Sequence, residues 1–139
     1  MKKLIVSKDL GLDQEKLSIL ADFCRYCISE LGIASPVKMY VVSNRDAHGI
    51  KTTAYYDRSD ATIKVYGKNR ALVDICRSLC HELVHCSQDE KGELVGVIRD
   101  AGGEIEDEAN ARAGELIKLF AKSNPRRKSI YESILRRLV

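Results

Sequence analysis

Apolar residues recur along this chain at two periods, and the changes of period mark its elements. Over residues 14–31, Leu17, Leu20, Ala21, Cys24, Cys27, Ile28 and Leu31 fall at helical spacing, with Asp13 placed to cap the start and Gly32 to close the end. Two further helical patterns follow. Leu72, Ile75, Cys76, Leu79, Leu83 and Cys86 define one over residues 71–89. Ile105, Ala109, Ala113, Leu116, Ile117 and Phe120 define another, which runs to about Lys122 and stops at Asn124-Pro125. Alternating or clustered β-formers instead occupy Leu4-Ile5-Val6 and residues 37–42, 52–56 and 61–66. The last two flank Asp57-Arg58-Ser59-Asp60 and predict a hairpin. A short basic helix is expected around residues 129–138. No internal repeat interrupts this order. It predicts a single α+β domain over residues 1–139: a small, mostly antiparallel sheet packed against the first two helices, then a third helix and a short C-terminal one.

The helix over residues 71–89 carries His81-Glu82-Leu83-Val84-His85. Residues four apart lie one turn above each other, so both imidazoles can reach one metal ion. The Glu beside the first His is then placed to take a proton from a metal-activated water. The apolar residues of this helix centre opposite His81 and His85, while Asp74, Ser78 and Gln88 fall on the histidine side. The pattern thus expects one core face and one polar face bearing both histidines. The plain alternative is two surface histidines on an amphipathic helix.

Catalytic zinc usually takes three protein ligands and leaves the fourth position open. The remaining histidine, His48, lies in a polar, loop-like stretch and is poorly placed as a third. The helix that follows offers Glu104, Glu106 and Glu108 near its start. On a wheel of about 100° per residue, Glu106 falls within about 50° of the centre of the buried stripe, and the other two lie more than about 100° away. A carboxylate so near the buried face needs a partner, which a shared metal would supply. Glu106 is therefore the expected third ligand, with Glu108 next and Glu104 behind. Asn110, one turn after Glu106, is placed to hydrogen-bond a ligand imidazole.

HELVH followed on the next helix by Glu106-x-Glu108-Ala109-Asn110 resembles the gluzincin arrangement of zinc metallopeptidases. Within that group the stretch is similar to the ImmA/IrrE-like enzymes and to small phage-encoded metallopeptidases. The resemblance covers roughly residues 71–120 and implies a minimal zincin-like fold. It also implies His81, His85 and Glu106 as ligands of Zn²⁺, Glu82 as general base, and an edge strand beside the metal to which an extended peptide adds. Two features depart from the pattern. Arg112 stands where those enzymes usually carry an aromatic, and no helix-turn-helix module is evident. SprT-like proteins share an HELxH helix, but their basic and zinc-ribbon extensions are not evident either.

The chain has 139 residues, 45% of them hydrophobic, which is enough for one core and a globular composition. A net charge of +3 does not by itself imply nucleic-acid binding. The basic cluster of Arg126, Arg127, Lys128, Arg136 and Arg137 is expected to be a solvated helix end. No apolar run suits a membrane span, and Leu4-Ile5-Val6 is too short for a signal peptide. The five cysteines, Cys24, Cys27, Cys76, Cys80 and Cys86, all fall in predicted helices. Cys24 and Cys27 fit an apolar stripe better than a redox pair, so reduced thiols in a cytoplasmic setting are expected (the host cytoplasm for a phage-encoded chain). The expectation is a zinc metallopeptidase acting on a protein or peptide substrate, without nucleic-acid or membrane partners. The rival is a zinc-binding structural or interaction protein, such as a virion component, that keeps the motif without turnover. His48 and Tyr131 stand as unranked candidates to stabilise an oxyanion, and Tyr55, Tyr56 and Tyr66 are expected to pack the sheet.

Overall fold

A computed structural model describes residues 2–94, 103–126 and 129–131. The chain runs β1 (Lys2–Val6), α1 (Gln14–Leu31), β2 (Val37–Val42), β3 (Ala54–Asp57), β4 (Thr62–Tyr66), α2 (Leu72–Glu90) and α3 (Glu104–Lys122). Short 3₁₀ turns at Lys8–Leu10 and Asp46–His48 lie in the connections. The ends of α1 follow from local chemistry. The Asp13 carboxylate accepts from the Lys16 amide at 2.8 Å. Gly32 adopts the left-handed conformation at φ 66° that lets its N–H reach back to the carbonyls of Ile28 and Ser29.

The α+β class holds, but the direction of the sheet differs from expectation. Strand order is β1-β2-β4-β3, with β1–β2 and β2–β4 parallel and only β3–β4 antiparallel. The sheet is therefore mostly parallel rather than mostly antiparallel. The cause lies in the connections. α1 carries the chain back along the sheet between β1 and β2, and a helical crossover of this kind joins parallel neighbours. β3 then runs the return path at the sheet edge, so β4 enters beside β2 in the same direction as β2. The expected hairpin survives as β3 and β4, paired from Ala54↔Val65 to Asp57↔Thr62.

Ile19, Leu20 and Phe23 of α1 join Met39, Ile63 and Val65 of the sheet, Leu72, Ile75, Leu79 and Leu83 of α2, and Leu116 of α3 in one buried core. Phe120 closes it against α1, 5.2 Å from Phe23 in an edge-to-face pair and 5.5 Å from Tyr26. All five cysteines are free and buried in this core, as the stripe positions implied. Among the described residues no helix is long and apolar enough to cross a membrane.

The polar face expected on α2 is covered over its C-terminal half. α3 packs across it, and Glu82, His85, Ser87 and Gln88 are all buried. Beyond α3, Arg126 pairs with Asp22 and donates to the Ser18 hydroxyl at 2.8 Å, tying the chain to α1. Residues 129–131 are helical. The rest of the expected C-terminal helix, with Arg127, Lys128, Arg136 and Arg137, lies outside the described residues.

Candidate metal centre

The site forms where the polar side of α2 meets the first turns of α3. One turn of helix stacks His81 and His85, with ring centroids 4.8 Å apart. Glu106 reaches both rings from α3, its Oε2 3.1 Å from His81 Nε2 and its Oε1 2.7 Å from His85 Nε2. One donor atom from each of the three residues lies within 4.8 Å of the others. Among the described residues this is the one group of His, Cys, Asp or Glu so arranged. The three residues ranked first from the sequence are the three that converge.

Each ring is held from behind. Asn110, one turn after Glu106, lines the cleft with His81, and its side chain pulls the His81 pKa up against the effect of burial. His85 uses a residue whose role the sequence did not reveal: its Nδ1 lies 2.7 Å from Gln88 Oε1. Gln88 is 1% exposed, and its Nε2 donates to the Ile105 carbonyl at 3.1 Å and to Glu108 Oε1 at 2.8 Å. Both of those partners can only accept, so the carboxamide oxygen must face His85, and His85 must carry its hydrogen on Nδ1. The Nε2 lone pair then points into the site. Glu108 is thereby committed to Gln88 and is not part of the converging set. Glu104 is exposed at the first residue of α3.

Charge balance tests whether a cation fits these donors. Glu106 Oε1 is buried and has no hydrogen-bond partner, although His85 Nε2 is near. The separation suits an ion pair, but the alignment is not that of a hydrogen bond. With Nδ1 as the donor to Gln88, a neutral His85 sets a nitrogen lone pair against a carboxylate lone pair. A cation between them satisfies both, and two imidazoles with one carboxylate are donors a divalent transition metal accepts. Burial holds the His81 imidazole below its ordinary value of 6.5, against the opposing pull of the Glu106 charge. That favours the neutral form, which can bind a metal.

No protein-family model, curated protein or solved structure matches this chain. What the arrangement can do follows from its own donors and the cleft around them. The cleft has a volume of about 320 Å³. Arg77, Ser78, His81 and Glu82 of α2 form one wall, Glu106 and Asn110 of α3 another, and Thr52, Thr53 and Ala54 at the start of β3 the third. Among the described residues β3 has a single neighbour in the sheet, so it presents an edge strand beside the cleft.

Neither His48 nor Tyr131 lines this cleft. His48 lies in the 3₁₀ turn, where its carbonyl accepts from the Tyr55 hydroxyl at 3.0 Å. Tyr131 packs against the hydrophobic core. Both candidates were offered by residue type alone, and the fold places them elsewhere. Tyr56 combines packing with a polar role. Its hydroxyl donates to Asp89 Oδ2 at 2.7 Å, and burial followed by this bond pushes its pKa up.

Proposed function

We propose that this chain is a zinc-dependent metallopeptidase, an endopeptidase acting on protein or peptide substrates. The observation that carries the reading is the convergence of His81, His85 and Glu106 on one point, with His81 and Glu106 sharing a cleft with Glu82 and the start of β3. Two histidines and a glutamate make a ligand set of catalytic zinc, one that leaves a coordination position open. Zinc held by His81, His85 and Glu106 supplies Lewis acidity, which acidifies water and polarises a scissile carbonyl.

The chain's own residues do the rest. Glu82 sits beside His81 in the cleft wall and is 8% exposed. Its carboxylate takes the proton of the attacking water and returns it to the leaving amine. Asn110 and Gln88 keep the two rings aimed, so ligation costs little reorientation. The free edge of β3 binds the substrate main chain in an extended form. The resemblance to gluzincins supports this arrangement, and the free thiols support a reducing, cytoplasmic compartment.

The rival reading, a zinc-stabilised structural protein without turnover, needs the three ligands but has no use for Glu82 in the cleft. Replacing that residue separates the two. Purified protein should carry about one zinc per chain and cleave peptides. Glu82→Gln should keep the metal and lower hydrolysis by about 10²–10⁴-fold, the usual contribution of a positioned general base. Undiminished cleavage by that variant contradicts the mechanism.

A further inference from the structure

Part of the cleft has no role in the metal chemistry. With His81, Glu82 and Glu106 assigned to it and Asn110 to His81, the remaining lining is Thr52, Thr53, Ala54, Arg77 and Ser78. No apolar side chain larger than alanine is among them, so this surface offers little to a large hydrophobic substrate residue. Its charge is one-sided. Apart from His81, Glu82 and Glu106, the one charged side chain in the lining is Arg77.

Arg77 stands one turn before His81 on α2, so it lies along the cleft from the metal donors rather than among them. Its Nη1 is 3.2 Å from Asp74 Oδ1, and the two side chains are 51% and 38% exposed. A solvated ion pair of this kind is weak and exchangeable. Asp74 therefore orients the guanidinium without consuming it. A second guanidinium reinforces the same end of the cleft. Arg70 donates to the Tyr66 carbonyl at 2.8 Å, to the Asp74 carbonyl at 3.2 Å and to the Ser78 hydroxyl at 2.8 Å. Its charge thus sits behind the wall that Ser78 and Arg77 present.

We infer that this end of the cleft is a carboxylate subsite, in which Arg77 binds a substrate carboxylate while the scissile peptide bond lies at the metal. The carboxylate comes from an Asp or Glu side chain or from the peptide's C-terminus. The planar fork of a guanidinium suits either, since it can make two parallel charge-assisted hydrogen bonds to both oxygens. The inference rests on the metallopeptidase reading and names the substrate chemistry of that same site.

The test uses the zinc-loaded full chain and synthetic peptides, with cleavage read by mass spectrometry. One arm compares internal Asp or Glu with Asn or Gln at the same position, and the other compares free-acid with C-terminally amidated peptides. In one of the two arms the acid should be cleaved with kcat/KM at least about tenfold higher, the effect of one charge-assisted hydrogen bond. The arm that responds identifies the source of the carboxylate. Arg77→Gln should level the preference, and Arg77→Glu should turn it toward Lys. Binding of the same peptides to the Glu82→Gln form, followed by fluorescence anisotropy, should show the same ranking without turnover. Cleavage with the same residue preference in the wild type and Arg77→Gln overturns the subsite alone. Failure of the wild type to cleave any peptide overturns the metallopeptidase reading, and the subsite with it.

Discussion

Gln88 decides which nitrogen of His85 carries the hydrogen, and so whether that ring presents a lone pair to the candidate metal site. Its carboxamide is oriented by two acceptors on α3, the Ile105 carbonyl and Glu108. Gln88→Leu should therefore lower zinc affinity by about 10–100-fold, the usual effect of losing a partner behind a ligand histidine. Competition with a chromophoric chelator measures this, and an unchanged affinity would show that packing alone holds the ring. His81 sets the pH response. Its folded pKa is depressed below 6.5, mainly by burial, so the imidazole is neutral at pH 7 and metal has no proton to displace there. As His81 protonates only at a pH below its ordinary 6.5, zinc affinity should hold through that value and fall at lower pH. The metal-free protein should also lose stability below that point, since the unfolded chain takes up the proton first. Titrations and denaturation midpoints across this range check both signs. A steep loss of affinity already under way above pH 7 contradicts the assignment.

The seam between α2 and α3 links the candidate metal site to the fold. It buries His85, Glu82 and Gln88 and leaves Glu106 Oε1 without a hydrogen bond, so the metal-free pairing is electrostatically incomplete. Zinc should stabilise the protein by about 2.7 kcal/mol when free metal exceeds its dissociation constant 100-fold. Amide exchange should place the added protection on the first turns of α3. An identical unfolding midpoint with zinc and with chelator would contradict this. Elements whose boundaries depend on neighbouring residues were legible from the chain alone. α1 begins after Asp13 and ends at Gly32, and β2 spans Val37–Val42, as the pattern predicts. Glu106 was legible because a carboxylate near an apolar stripe conflicts with its surroundings. The direction of the sheet was not legible, since it depends on the return path of α1 rather than on alternation within a strand. The partners of Gln88 lie 17 and 20 residues away on another helix, and local periodicity carries no trace of such contacts.

Across the whole molecule, burial separates structural groups from reactive ones. Desolvation pushes the Cys24 thiol up to about 12 and raises Cys27, Cys76 and Cys86 as well, so these thiols act as core side chains rather than nucleophiles. The donors at the seam differ: they converge with one another, and His81 and Glu106 line a cleft beside the start of β3. The helices thus do two jobs, packing the sheet with one face and holding the metal donors with another. The central claim is that His81, His85 and Glu106 together hold one zinc ion. Diffraction from zinc-loaded crystals at energies on either side of the zinc absorption edge tests it most directly. The account predicts a single anomalous peak at about 2.0–2.2 Å from both histidine nitrogens and a Glu106 oxygen. A peak bound to other side chains, or zinc-loaded crystals with no peak between α2 and α3, would contradict it.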